Sequence, residues 1–381
     1  MTIAARLAAY YFAFFAHAGA YVSYFALYLA GRGMTAGEIA FAVAMPQAAR
    51  IAAPALWGWL ADAWGARYGG ARRAIIVFSA FAMLAGFLAL PFVDDPRAVA
   101  LVLLAMSLLS AGASPLVEAI TFSAIEGRPG QYGPIRLWGS IGFILAVLGS
   151  GAWLDRAGAS ALAGILVGLA AVTCAVALAL PGAAAERAQH AGERLGAVVR
   201  RPEVLAFFGA CFLMNAAHGT LYVFYSIYLE EAGYSKTLIG ALWTVGVLAE
   251  VYLFLRLPQL MRRFSLRALL LASLCCAVLR FPVIGWAVDS LALLAAAQLL
   301  HAATFGVFHA GSVAAVHRLF PGALAARGQA FYSSIAYGLG GAAGSLIAGW
   351  TWTGLGASAS FVVSAMFAAA GAILVARKLR V

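Results

Sequence analysis

Twelve apolar runs follow one another along the chain, parted by short breaks that carry charges, glycine or proline. An α-helix rises 1.5 Å per residue, so about 20 residues cross a hydrocarbon layer about 30 Å thick. The runs predict membrane-spanning helices over 7–29, 36–60, 73–92, 98–124, 134–154 and 160–180, then over 203–229, 237–257, 265–286, 290–316, 327–350 and 356–377. They take up most of the 381 residues and leave no room for a soluble catalytic domain. The expected fold is an all-α membrane protein. Composition agrees: with 64% hydrophobic and 10% charged residues, a soluble fold could not cover its surface with polar groups.

The one long polar break runs from Pro181 to Pro202 and parts six runs from six. It predicts a six-helix bundle over 1–180, a cytoplasmic linker over 181–202 and a second six-helix bundle over 203–381. The halves echo each other. His17, Tyr21, Tyr24 and Tyr28 fall along one face of span 1, and His218, Tyr222 and Tyr225 repeat the pattern in span 7. Trp138-Gly139-Ser140-Ile141 in span 5 is matched by Tyr332-Ser333-Ser334-Ile335 in span 11. Two pseudo-symmetric bundles of six spans are the pattern of transporters that rock about a site near the membrane midplane. Glycines crowd spans 5 and 11, where small residues let helix backbones approach closely in lipid.

The 25 cations are placed unevenly. With the N-terminus in the cytoplasm, 18 fall on inside segments, and only Arg32, Arg97, Arg156 and Lys236 fall outside. This asymmetry sets both termini in the cytoplasm of a bacterial-type inner (plasma) membrane. The net charge of +11 is therefore read as a topology determinant beside anionic lipid, with no nucleic-acid partner. Arg6 and the apolar run after it mimic a secretory signal, but the run is long and has a counterpart in the second half. Cys174, Cys211, Cys275 and Cys276 lie within predicted spans and read as small apolar residues.

Apart from charges toward span ends, the full charges singled out inside spans are Arg50, Glu118, Arg136, Glu250 and Arg280. Each costs about 2.5–3.5 kcal/mol at a helix centre, so they should face one another or water. Glu118 and Arg136 sit at similar depth and are expected to form an ion pair. Glu250, Arg280 and His301 are candidates for a second group, with Arg280 toward the outside, Glu250 toward the inside and His301 between them, which leaves direct contact of Glu250 with Arg280 open. Because histidine titrates near neutrality, His301 reads as a proton carrier or relay to Glu250, or else as a hydrogen-bonded packing residue. The same alternatives hold for His17, His218 and His309. Arg50 has no obvious partner; it is either a dock for a substrate carboxylate or part of a gate with Asp62 or Glu118. Tyr21, Tyr24, Tyr222 and Tyr225 either line a cavity or pack, while Tyr28 and Tyr228 suit the interface.

Gly58-Trp59-Leu60-Ala61-Asp62-Ala63-Trp64-Gly65-Ala66-Arg67, between spans 2 and 3, resembles the loop signature of the major facilitator superfamily, G-x-L-A-D-x-x-G-x-R. Within it, Tyr132-Gly133-Pro134-Ile135-Arg136-Leu137-Trp138-Gly139-Ser140-Ile141-Gly142, Leu300-His301-Ala302-Ala303-Thr304-Phe305-Gly306 and Arg327-Gly328-Gln329-Ala330 resemble the phenylpropionate permease group. That group is related to lactose permease and to nucleoside/proton symporters. By similarity to lactose permease, Glu118 and Arg136 stand at the sugar-binding acid and arginine, and Glu250, Arg280 and His301 at its polar residues on spans 8, 9 and 10. Thr304 stands where that permease has its proton-carrying carboxylate, Gln298 where it has a lysine, and Phe143 where it has the tryptophan that stacks on galactose. These departures argue against a galactoside.

The expected function is proton-coupled uptake of a small organic solute, such as an aromatic carboxylic acid, by alternating access. A nucleoside or sugar/proton symporter, a drug efflux carrier of the same fold, and a non-transporting membrane sensor are the alternatives. The substrate residues expected are His17, Tyr21, Tyr24, Arg50, Glu118, Arg136, Phe143, His218, Tyr222 and Tyr225. Glu250, Arg280 and His301 are expected to couple protons, and Asp62 and Arg67 to form the gate. No enzyme motif such as H-E-x-x-H or G-x-S-x-G is present, and no cofactor or metal is expected beyond the proton gradient. The partners are the solute, protons and the bilayer, and the protein is expected to be a monomer.

Overall fold

The computed structural model describes residues 2–68, 70–125, 128–182 and 195–379. Among these residues the chain is helical throughout, with short turns and no strand. Eleven helical stretches are long and apolar enough to cross a membrane: Ile3–Gly31, Ala36–Trp64, Ala71–Phe92, Pro96–Ala124, Tyr132–Ala157, Ala159–Leu178, Pro202–Glu231, Lys236–Arg263, Leu266–Trp286, Leu291–Leu319 and Ala357–Lys378. A twelfth runs from Ala325 to Leu355 as an α, a π and an α segment in succession. All twelve predicted spans are present.

In chain order the α-helices used below are α1 (Ile3–Gly31), α2 (Ala36–Ala49), α3 (Ala53–Tyr68), α4 (Ala71–Ala89), α5 (Pro96–Ser110), α6 (Ala113–Ala124), α7 (Tyr132–Ala157), α8 (Leu162–Leu178) and α9 (Leu195–Val199). They continue as α10 (Pro202–Ala217), α11 (Gly219–Glu231), α12 (Lys236–Arg263), α13 (Leu266–Trp286), α14 (Leu291–Leu299), α15 (Phe308–Leu319), α16 (Ala325–Tyr332), α17 (Gly341–Leu355) and α18 (Ala357–Lys378).

Several spans are broken, each for a local reason. Pro54 has no N–H to offer the Arg50 carbonyl, so span 2 breaks between α2 and α3. Pro115 does the same to the Ala111 carbonyl, between α5 and α6. Span 7 breaks at His218 without proline. The His218 ring takes the Met214 carbonyl through Nδ1 at 2.8 Å, and the His218 amide turns to Asn215 instead. Spans 10 and 11 each widen into a π segment, Ala302–Val307 and Ser333–Gly340.

Two compact units can be distinguished. The first comprises Met1–Met34, Ala52–Ala188 and Ser235–Gly240. In it α1 lies along α7 and α8, and α4 packs on α5, α6 and α8. Apolar side chains such as Leu7, Ile75, Ile76, Val117 and Ile120 form its core. A Cβ on Gly142 would run into the Phe12 carbonyl, so α1 and α7 touch backbone to backbone. The Asp155 carboxylate at the end of α7 accepts the Lys236 and Thr237 amides at 2.7 and 2.9 Å, which caps the start of α12.

The second unit comprises Thr35–Ile51, Gln189–Tyr234 and Ala241–Val381. Here α10 lies against α17 and α18, α2 lies along α17, and α13 packs on α15 and α18. Gly344 plays the part of Gly142: its Cβ would stand 2.5 Å from the Ala216 carbonyl oxygen, so α10 and α17 also meet through their backbones.

Candidate functional site

In the first unit the site grows from α1, α6 and α7. Tyr11 and Phe15 are one turn apart on α1, and Arg136 enters from the first turn of the long α7. Its guanidinium carbon stands 4.0 Å from the centre of the Phe15 ring and 5.4 Å from that of Tyr11. The quadrupoles of both rings face the cation and hold it electrostatically. Tyr11 is itself fixed, its hydroxyl 3.2 Å from Thr121 Oγ1 on α6. Gly139 leaves the space that the guanidinium fills: a Cβ there would come within 2.7 Å of Arg136 Nη1. Glu118 on α6 is close enough to feel the charge of Arg136, but the two form no ion pair within 4.0 Å. The ion pair expected from the sequence is thus replaced by an arginine laid on aromatic faces with a half-buried carboxyl nearby.

Farther along α1, His17 stacks on Tyr21 at 6.3 Å and meets Phe87 of α4 in a tilted contact at 4.8 Å between centroids. His17 is buried, and among the described residues its Nε2 has no hydrogen-bond partner. Tyr24 is fully buried and donates to the carbonyls of Val147 and Lys236, both at 3.0 Å. It ties α1, α7 and the start of α12 together. Phe143 is half-buried on α7.

In the second unit a narrow cleft of about 10 Å³, near the room one water needs, is lined by Met214, Asn215, His218, Tyr222, Thr304, Phe305, Phe308, His309 and Tyr337. Both π segments contribute to its wall, through Thr304 and Phe305 and through Tyr337. Single π-turns recur at functional sites because the extra residue re-aims side chains. His301, Phe305 and His309, spaced four apart, stack in a ladder, with centroids 5.3 and 6.2 Å apart. His309 Nδ1 lies 2.8 Å from the Tyr337 hydroxyl and 3.2 Å from that of Tyr332. Arg50, exposed at the end of α2, stands 5.8 Å over the Tyr337 ring.

Beside the cleft, Arg280 is wholly buried. Its guanidinium donates to the Ala297 carbonyl at 2.9 Å, Thr304 Oγ1 at 3.0 Å and Gln298 Oε1 at 3.1 Å. Thr304 and Gln298 are two of the three positions that depart from lactose permease, and here, with the Ala297 carbonyl, they accept from one buried arginine. His301 Nε2 lies 3.9 Å from Glu250 Oε2, so those two are brought together as expected.

A family model described as the MFS_1-like family matches residues 4–363, nearly the whole chain. The chain belongs to the MFS_1-like family. As an MFS_1-like protein it is a multi-pass membrane transporter of the secondary type, not an enzyme, and such transporters use no cofactor. It is 30% identical over 378 residues to a probable 3-phenylpropionic acid transporter of Escherichia coli, covering 94% of this chain and 93% of that one. It is 25% identical to the maltose permease of Geobacillus stearothermophilus over 90% of this chain and 86% of that one. The solved structure of the nucleoside transporter NupG shares the fold, with a TM-score of 0.84, 18% identity, and coverage of 99% and 98%.

Of the residues singled out in the MFS_1-like sequence, Arg136 and Glu118 share one site, and His218 and Tyr222 line the cleft. Tyr24 and Tyr225 are fully buried and do not line it. Asp62 is exposed, and the Arg67 side chain lies outside the described residues, as does 183–194 of the predicted linker. Asn215, His309 and Tyr337 were not singled out as substrate residues. The spacing of His301, Phe305 and His309 was the signal available for the second of these.

Proposed function

We propose that this transporter takes up an aromatic monocarboxylate of the 3-phenylpropionate kind together with a proton, by alternating access between the bundles of 1–180 and 203–381. The observation that carries the reading is Arg136 lying on Phe15 and Tyr11 with, among the described residues, no carboxylate in ion-pair contact. Such a guanidinium keeps N–H donors for a carboxylate, which it can hold through two parallel bonds. In the second unit Arg50 also stands over an aromatic ring, that of Tyr337, and the rings of His301, Phe305 and His309 offer faces for stacking. The similarity to a probable 3-phenylpropionic acid transporter supports the same class of solute.

In this reading Arg136 and Arg50 orient the carboxylate, with Glu118 restraining Arg136 between cycles. Glu250 and His301, in contact at 3.9 Å, take up and release the proton, and Arg280 positions them through Thr304 and Gln298. Asp62 and Arg67 serve the inner gate. A monoanion entering against an inside-negative potential needs at least one proton to avoid opposing the field. The uneven placement of cations supports an inner membrane with both termini in the cytoplasm, and the carrier works as a monomer.

The test is uptake by proteoliposomes under an imposed pH gradient, inside alkaline, offering labelled 3-phenylpropionate, uridine and maltose in turn. Accumulation of 3-phenylpropionate alone, abolished by a protonophore, is expected. Accumulation of uridine or maltose instead overturns the solute class, and accumulation indifferent to the protonophore removes the proton from the scheme.

A further inference from the structure

At one edge of the first unit, the start of α1, the start of α4 and the end of α8 surround an open cavity of about 540 Å³. Arg6 and Arg73 line it, with Leu178 to Gly182 as the remaining wall. Among the described residues no carboxylate lines it. Arg73 donates from Nη2 to the Leu178 carbonyl, yet among the described residues its buried Nε has no acceptor.

The helix ends sharpen this imbalance. Neither α1 nor α4 has an acidic residue in its first turn, and the N-cap of α4 is Gly70, which offers no side-chain acceptor. Arginines at the start of a helix add to the positive end of its dipole, where a counter-anion is favoured. The cations, the dipoles and the unfilled guanidinium donor therefore ask for the same thing, a bound anion.

Depth identifies its source. The apolar spans Ile3–Gly31, Ala71–Phe92 and Ala159–Leu178 all begin or end at this cavity, which puts it at the level of the lipid headgroups. Phe78 and Phe81 on α4, and Val172 and Leu178 on α8, are exposed apolar side chains on which acyl chains can lie. We propose that Arg6 and Arg73 hold the phosphate of an anionic phospholipid, whose net charge answers the two arginines where a zwitterionic headgroup would not. This site is separate from the transport reading and does not depend on it.

The test uses the purified full chain in detergent and follows thermal unfolding during titration with phosphatidylglycerol, phosphatidylcholine or inorganic phosphate. Arg6→Gln is the main variant, because Arg73 also bonds Leu178 and its loss would disturb the join between α4 and α8. Phosphatidylglycerol is expected to raise the unfolding temperature saturably, while the other two do not. Arg6→Gln should need roughly fivefold more of it, one arginine–headgroup attraction being lost, and Arg6→Lys should restore the wild-type titration. An unchanged titration in Arg6→Gln overturns the site. Equal stabilisation by inorganic phosphate makes it a soluble-anion site, and equal stabilisation by phosphatidylcholine removes the anion; either result defeats the proposal. Should the variant unfold before titration, native mass spectrometry of lipid retained by the wild type decides: retained phosphatidylglycerol supports the site, and retention of neither lipid defeats it.

Discussion

Replacing Arg136 by alanine removes a cation held mainly by two rings, with Tyr132 and the Glu118 charge near enough to act on it but no ion pair to Glu118 within 4.0 Å. At a partly exposed site each such contact is worth about 0.5–1 kcal/mol, so the fold should lose only about 1–2 kcal/mol and the protein should still insert. Transport should suffer far more. A charge-assisted bond to a substrate carboxylate contributes about 1.5–3 kcal/mol, which corresponds to a roughly 10- to 150-fold weaker apparent affinity. Arg136→Lys keeps the charge but loses the planar fork and the stacking, and should fall between wild type and alanine. Gly139→Ala attacks the same geometry without touching any charge. Its Cβ would stand 2.7 Å from Nη1 and 2.9 Å from Phe15 Cδ2, so the guanidinium has to move and uptake should weaken. The assay is the initial rate of 3-phenylpropionate uptake against concentration, normalised to protein in the vesicle membrane. An Arg136→Ala protein whose KM stays within about twofold of wild type would refute the reasoning.

Three further outcomes follow from the packing and the proposed proton site. Thr304→Val keeps the shape but strips one acceptor from the buried Arg280, and thermal unfolding should show a loss of about 1–3 kcal/mol; an unchanged transition would mean that bond is not made. Gly142→Ala should cost about 1–3 kcal/mol by forcing α1 away from α7, whereas Gly149→Ala, with nothing within 4 Å, should be silent in the same measurement. Glu250→Gln should abolish accumulation driven by a pH gradient yet leave exchange of labelled for unlabelled solute intact, and loss of both or of neither would count against Glu250 as a proton site.

The span positions were legible because membrane thickness imposes a minimum apolar length, and the ends moved by only a few residues, as in 134–154 against Tyr132–Ala157. Breaks inside spans were harder to see, since a kink leaves apolar content unchanged. Pro54 and Pro115 carried a signal for two of them that apolar length passes over, but the break at His218 comes from a side chain competing for a carbonyl, which no composition reveals. The π segments left no proline to read either. At the site, the grouping of Glu250 with His301 agrees with their 3.9 Å separation. Depth failed for Glu118 and Arg136 because Phe15, Tyr11 and the gap at Gly139 together outbid one carboxylate for the guanidinium. The tyrosine stripe could not tell Tyr222, at the cleft, from Tyr24 and Tyr225, turned into the packing.

The glycine seams carry a mechanical consequence. Where Gly142 meets Phe12 and Gly344 meets Ala216, peptide planes touch with no layer of rotatable groups between them. Such a join cannot creep by exchanging rotamers, because small displacements drive hard atoms into overlap. The α1–α7 and α10–α17 pairs therefore behave as stiff girders, and whatever compliance each unit has resides in its other seams. A covalent bridge tying one girder to itself should leave the transport cycle untouched.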